Sequence, residues 1–185
     1  STDDADELEL TRPDGSLAYP GYQPLKVIAR DLATILRNEG WRAMYPSELV
    51  HHKSLAMLAG LGSYGKNSLI ISPKHGPWLR FGVVVTDAPL EPDGSIEKDL
   101  CGKCTRCVRA CPAGALKPYV VDPDKCLVGL GELESPPKSA KKLLAKYQPK
   151  LSPRAYLMCI ECQMACPYTS AERRRMVFSA VRTRK

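Results

Sequence analysis

Eight cysteines, and the intervals between them, carry the chemistry of this 185-residue chain. Cys101, Cys104, Cys107 and Cys111 stand in the order C-x2-C-x2-C-x3-C, and Pro112 follows. Three thiolates on so short a loop can reach three corners of one iron–sulfur cube, and the fourth points away along the helix that follows. The proline ends the loop and removes a backbone donor that has no ladder to join. A second group holds Cys126, then 32 residues (127–158), then Cys159, Cys162 and Cys166 followed by Pro167. Its ending, C-x2-C-x3-C-P, repeats the first run.

In two-cluster ferredoxins the fourth Cys of such a run ligates the other cube. By that crossed logic Cys101, Cys104, Cys107 and Cys166 hold one [4Fe-4S] cluster, and Cys111, Cys126, Cys159 and Cys162 hold the other. All eight cysteines are used. A compact ferredoxin would place its fifth and sixth Cys two residues apart, so 127–158 is an insert. Two other chemistries compete. A disulfide framework also needs an even count, but nothing marks the chain as secreted. Zinc favours C-x2-C pairs, yet it needs four ligands per site and does not explain the x2-x2-x3-C-P spacing.

These ligands need elements to position them. Leu25, Ile28, Leu32, Ile35 and Leu36 form a helical stripe over 24–39, stopped at Gly40. Trp41–Tyr45 reads as a short strand. Ser47 caps a second helix through about Ala59, with Leu55 and Leu58 on its buried side. The β-branched runs 68–72 and 81–86 read as two strands, paired as a long-looped hairpin. Such a sheet is too small to stand alone, so the missing strands belong to an absent N-terminal half or to a partner chain. The expected class is α+β: a partial α/β layer followed by a ferredoxin-like two-cluster domain. The divisions are a mobile or partner-held leading segment 1–20, the partial layer 21–95, the cluster domain 96–170 and a basic end 171–185. Within the insert, 138–147 reads as a surface helix with few apolar residues, Leu143 and Leu144.

Gly60-Leu-Gly62-Ser-Tyr-Gly65-Lys66-Asn67 matches two phosphate-binding patterns, and its context fails both. It follows a helix and precedes a strand, the reverse of a dinucleotide fold, and Asn67 replaces the magnesium-ligating hydroxyl. The bland reading is a glycine-rich helix exit. A third is that three glycines let the backbone approach a large flat ligand. His51, His52 and His75 lack partners at metal-ligand spacing and read as surface or packing residues.

The formal charge is +7 with Cys counted neutral. Eight thiolates around two oxidised cubes subtract about four units, leaving about +3. The excess gathers in Arg173, Arg174, Arg175, Arg182, Arg184 and Lys185, a solvated face or a contact for nucleic acid or an acidic partner. Lys103, Arg106, Arg109 and Lys125 flank ligands and raise cluster potentials only if partly buried. No run approaches a membrane span, and no signal peptide is visible. The chain opens on Ser1 rather than Met, so it reads as a fragment, a processed form or a renumbered chain. Eight thiolate ligands fit a reducing, cytoplasmic setting.

Ala59-Gly-Leu-Gly62, Gly65-Lys-Asn-Ser-Leu-Ile-Ile71, Gly76-Pro-Trp78 and Val85-Thr-Asp-Ala-Pro-Leu90, followed by the first Cys run and Pro112-Ala-Gly-Ala-Leu116, resemble the C-terminal half of epoxyqueuosine reductases. Corrinoid-dependent reductive dehalogenases share the region, which covers about residues 24–170. The resemblance implies that the glycine-rich segment packs against cobalamin and that two cubes feed it electrons. By position, Gly60, Gly62, Gly65, Lys66 and Asn67 become candidate cobalamin contacts. The implied role is an electron-transfer protein or subunit serving a corrinoid site. The alternatives are an epoxyqueuosine reductase fragment or relative acting on tRNA, and a plain two-cluster carrier. A redox partner protein is implied in each.

Overall fold

The computed structural model describes residues 8–46, 50–96, 98–133 and 135–175. The chain opens with strands β1 (Leu8–Thr11) and β2 (Leu17–Ala18) and a 3₁₀ turn at Pro20–Tyr22. Helix α1 (Gln23–Asn38), strand β3 (Ala43–Met44) and helix α2 (His52–Leu58) follow. Then come β4 (Ser63–Tyr64), β5 (Ile70–Ile71) and β6 (Val85–Thr86). The cysteine region holds α3 (Arg106–Ala110), β7 (Leu116–Lys117), β8 (Val120–Val121) and α4 (Leu127–Gly131). Helix α5 (Lys138–Tyr147), strands β9 (Lys150–Ser152) and β10 (Ala155–Leu157) and helix α6 (Glu161–Met164) close the order. The class is α+β.

The leading segment and the insert build one sheet in the order β2-β1-β10-β9. Leu8 faces Leu157 and Leu10 faces Ala155 in antiparallel register. Far from a mobile lead, residues 8–18 are tied down through β1, whose partner β10 lies near the other end of the chain. The turn between β1 and β2 has a local cause: Asp14 Oδ1 accepts from the Ser16 N–H at 2.9 Å, and Gly15 takes φ +84°.

The insert is no surface excursion either. Helix α5 spans the residues expected, but it packs on α4 around Leu127, Leu130 and Ala140. Leu143, Leu144, Tyr147, Ala113 and Cys159 border that cluster. Two leucines sufficed because α4 and Ala113 supply the other wall.

Glu9 is the odd member of the first sheet. It is 2% exposed, and among the described residues its Oε2 has no hydrogen-bond partner. Burial raises its carboxyl pKa, and Glu132 adds to the rise. Glu132 is itself fixed by the Tyr19 hydroxyl, which donates to its Oε1 at 2.6 Å. A raised carboxyl favours the fold while protonated and loses that contribution as pH rises. Glu9→Gln therefore melts higher than wild type at pH 7–8, by about 1 kcal/mol, and shows no gain near pH 4. Thermal melts at the two pH values check this.

The partial layer departs from the expected pairing. Strands 68–72 and 81–86 do not form a hairpin together. β5 pairs with β4, Ser63 opposite Ile71, and β6 pairs with β3, Ala43 opposite Thr86. The turn Pro73–Pro77 folds back only as far as a bridge between Ser72 and Gly76, so β6 is released to β3. The stripe on α1 is real but not buried: Ala29 and Ala33 are the covered residues, while Val27, Ile28, Leu32 and Ile35 are about half exposed. On α2, Ala56 is buried, whereas Leu55 and Leu58 face outward. Ser47 lies outside the described residues. Small alanines meet the chain on the covered faces, and the large side chains wait on the open one.

Candidate iron–sulfur centres

The first Cys loop is held from both ends. The Asp99 carboxylate accepts backbone N–H groups from Cys101 at 2.9 Å and Gly102 at 3.2 Å, and the Tyr119 hydroxyl at 2.9 Å. These donors hold the Asp99 carboxyl below the usual range, the Cys101 N–H first. The Cys104 N–H closes a turn onto the Cys101 carbonyl at 2.9 Å. Cys107 rides on α3, and Cys111 ends that helix in extended conformation, φ −67°, ψ 112°. That switch of backbone turns the fourth cysteine away from the first three. Cys101 Sγ accepts the Lys66 N–H at 3.4 Å and Cys111 Sγ the Ala115 N–H at 3.3 Å, and backbone amides of Val108, Glu161 and Tyr168 favour the thiolates of Cys107, Cys159 and Cys166. Such amide–sulfur bonds favour an anionic sulfur and so suit a thiolate that ligates iron.

The second group is carried by α4 and α6. Cys126 caps α4, Cys162 lies within α6, and Cys159 and Cys166 flank α6. Burial pushes the Cys166 thiol up, and the thiolates of Cys101, Cys107 and Cys104 push it further. Burial raises Cys107 too, with Cys101 and Cys104 adding to it. Cys159 is pushed up to about 11, by burial first and then by Glu161, Cys126 and Cys111. Cys162 is pushed up to about 12, by burial and then by Cys159, Cys126, Cys107 and Cys111. Cys166 is thus coupled to Cys101, Cys107 and Cys104, and Cys162 to Cys159, Cys126, Cys107 and Cys111. Cys107 also senses Cys162, so the two groups abut.

Four thiolates packed in low dielectric repel one another and lose water. Protonation or bound cations relieve that repulsion. Among the described residues, which include all eight cysteines, no three His, Cys, Asp or Glu side chains converge as a single-ion site requires. The all-cysteine donor set, with backbone amides on the sulfurs of Cys101 and Cys111, fits an iron–sulfur cube.

Arg174 locks the Cys166 loop. Its guanidinium donates to the carbonyls of Cys166 at 2.6 Å, Thr169 at 3.3 Å and Met164. Arg173 stacks over Trp78, 4.5 Å from the ring centroid, and Trp78 Nε1 donates to Thr169 Oγ1 at 2.9 Å. Two of the basic-end arginines are thus engaged inside the fold. Arg175 is exposed, and Arg182, Arg184 and Lys185 lie outside the described residues. Residues 171–175 are helical.

The glycine-rich loop folds onto the chain itself. A Cβ at Gly60 would strike the Gly94 carbonyl, one at Gly62 the Ile71 carbonyl, and one at Gly65 the Ile71 side chain. Internal packing accounts for all three. Lys66 is 8% exposed, and its Nζ donates to the Gly102 carbonyl inside the first Cys loop at 2.5 Å. Asn67 is 5% exposed; its Oδ1 accepts the Leu69 N–H at 3.3 Å. Among the described residues its Nδ2, like the neighbouring Ser68 Oγ, is buried without a partner. Lys103, Arg106 and Arg109 are exposed, and Lys125 forms an exposed 2.8 Å pair with Asp122. Sequence reasoning missed Lys53, Asp99 and Arg174. Asp99, two residues before the Cys101-Gly102 turn, carried the signal of an Asx turn.

A cavity of about 490 Å³ opens beside this loop, lined by residues that include His51, His52, Lys53, Tyr64, Ile70 and Arg80. His51 caps α2 and His52 begins it, while His75 is an exposed turn residue whose N–H faces Ser72 Oγ at 3.4 Å.

Comparison with known proteins agrees with this geometry. Residues 100–169 match the family described as "4Fe-4S double cluster binding domain". The Leadbetterella byssophila epoxyqueuosine reductase is 34% identical over 149 residues, 80% of this chain and 47% of its own length. An epoxyqueuosine reductase solved with a tRNA-Tyr epoxyqueuosine-modified stem loop superposes with TM-score 0.69 at 26% identity, covering 81% of this chain and 39% of that one. The chain is a relative of the epoxyqueuosine reductases. A reductive dehalogenase shares the fold, with TM-score 0.63 at 22% identity over 97% of this chain and 26% of that one. The reductase relative spans less than half the length of the curated reductases it matches. Among the described residues no helix is long and apolar enough to cross a membrane.

Proposed function

We propose that this chain is the electron-delivering part of an epoxyqueuosine reductase that acts on modified tRNA in the cytoplasm. What supports the reading is the match of residues 100–169 to the double-cluster family, in a chain 34% identical to such a reductase over 149 residues. Cys101, Cys104, Cys107 and Cys166 would hold one [4Fe-4S] cluster, and Cys111, Cys126, Cys159 and Cys162 the other. Cubes held there store one electron each. The backbone donors of Lys66 and Ala115 steady the ligating sulfurs, and Arg174 and Asp99 hold the loops that carry them.

The acceptor we infer is a corrinoid seated over residues 65–68. A corrinoid supplies a low-potential cobalt that takes electrons singly. Of the five candidate contacts, Asn67 fits best, because its buried Nδ2 still needs an acceptor. A Cβ at Gly60, Gly62 or Gly65 would meet the chain itself, so these glycines shape the loop, and the Lys66 side chain is held by Gly102. The open faces of α1 and of β3–β6 supply the rest of the argument. Val27 at 57%, Ile28 at 54% and Met44 at 57% exposure leave an apolar surface that two two-residue strands cannot complete. We place the remainder of the reductase's α/β layer there, either on the same polypeptide or as a partner chain.

Cobalamin titrated into the anaerobically loaded chain tests the acceptor. Saturable change in corrin absorbance, and its bleaching by the reduced clusters, supports the reading. Intact, reducible clusters with no corrin response leave a plain two-cluster carrier.

A further inference from the structure

The Gly76-Pro77-Trp78 turn holds no cysteine, yet it is built against the loop that carries Cys166. Gly76 and Pro77 are buried, and Gly76 takes φ +59°. A Cβ at Gly76 would come within 2.5 Å of the Tyr168 carbonyl oxygen, two residues past Cys166. Glycine permits both that backbone state and that approach. The Pro77 carbonyl accepts the Gln163 side-chain N–H at 3.2 Å. Trp78 Nε1 reaches 91 residues along the chain to donate to Thr169 Oγ1, and the same hydroxyl donates to the Gln163 carbonyl at 2.6 Å. Gln163 and Thr169 are 7% and 4% exposed. The Cys166 backbone closes onto these two residues. Its N–H donates to the Gln163 carbonyl at 3.1 Å, and its carbonyl accepts the Thr169 N–H at 3.0 Å.

We propose that the Gly76–Trp78 turn positions Cys166 for iron, acting through Thr169 and Gln163. A buried hydroxyl that donates and accepts at once is fixed in orientation. Thr169 is therefore the hub, held by Trp78 on one side and by the Gln163 carbonyl on the other. Both backbone partners of Cys166 are in turn held by the turn, so the partial layer, as well as α6, sets the direction in which the cysteine leaves the chain. Outer contacts of this kind orient metal ligands and are costly to remove. Arg174 adds a second hold on the Cys166 carbonyl from the C-terminal side. Pro77 also lines the cavity, so one turn ties the cavity wall to a cluster ligand. Trp78, Thr169 and Gln163 are positioning residues: none is a ligand.

This inference rests on the reading that Cys166 ligates a cluster, and the experiment separates the two. Thr169→Val, Thr169→Ser, Trp78→Phe and Cys166→Ser are loaded with iron without oxygen beside wild type. Iron release to a chelator and the EPR spectrum of the reduced protein are followed. Thr169→Val keeps the shape and removes the hydroxyl, and Thr169→Ser restores it. Trp78→Phe keeps a ring beneath Arg173 and removes the donor. Thr169→Val and Trp78→Phe are expected to release the cluster that Cys166→Ser lacks about tenfold faster than wild type, with an altered EPR signal for that cluster alone. The other cluster keeps its wild-type rate and signal, and Thr169→Ser matches wild type at both. A variant that loads only the other cluster gives the same result in stronger form. Wild-type release rates at both clusters overturn the proposal. So does equal acceleration at both, which marks a general loss of stability. Cys166→Ser protein that keeps both clusters, or wild type that takes up no iron, overturns the ligand reading instead.

Discussion

Replacing Cys166 with Ser removes one cluster and spares the other. Iron falls from about eight to about four atoms per chain, and the surviving EPR signal is that of the cluster held by Cys111, Cys126, Cys159 and Cys162. The prediction is sharp because sequence distance argues the other way. Cys166 follows Cys162 by four residues and Cys101 by 65, yet its thiol answers to Cys101, Cys107 and Cys104. The cause is the end of α6: Cys162 sits within the helix, while Cys166 lies beyond its last turn, where Arg174 holds its carbonyl. If the Cys166 variant keeps the 101–107 cluster and loses its partner, the ligand exchange between the halves is wrong.

Removing iron with a chelator under anaerobic conditions broadens the unfolding of the cysteine region and moves it to lower temperature. Helices α3, α4 and α6 have five, five and four residues. None could persist alone, since isolated helices of that length are marginal in water. Their apolar support is the small cluster around Leu127, Leu130 and Ala140. The chelated chain should also respond to pH with a definite sign. Burial lifts Cys162 to about 12 and Cys159 to about 11, above the unfolded thiol near 8.5. A raised thiol favours the apo fold while protonated, a contribution fully present below about pH 8.5. It is lost as pH rises through about 11 to 12. Circular dichroism melts of the chelated chain should therefore weaken between pH 8 and 11, and those of the loaded chain should change less. An apo chain that melts as sharply as the loaded one would show that metal has no structural part.

Much of the site was legible because its spacing is chemical rather than conformational. A cube dictates C-x2-C-x2-C, so the cysteines announce themselves whatever the surrounding fold. Helices α1 and α5 were legible from their periodicity, within a residue of 24–39 and at 138–147. What failed was everything decided by long-range partners. β1 has only the two residues of β2 as a local partner and meets β10 from the far end of the chain, so residues 8–18 looked loose. The stripe on α1 told truly of an apolar face but not of what covers it, and Ala29 and Ala33 took the inner side. Lys53 drew no reading and Lys66 read as a cobalamin contact, since nothing in sequence reveals that Ser68 and Gly102 offer them carbonyls. Arg174 looked like a basic tail and is a clamp.

Mössbauer spectroscopy on wild-type chain, loaded with isotopic iron without oxygen and quantified against protein, tests the central assignment most directly. Two [4Fe-4S] clusters predict about eight iron and eight sulfide per chain in one class of cubane signal. A stoichiometry near four, or tetrahedral zinc in place of iron, would contradict the division of the eight cysteines into two cube-binding sets.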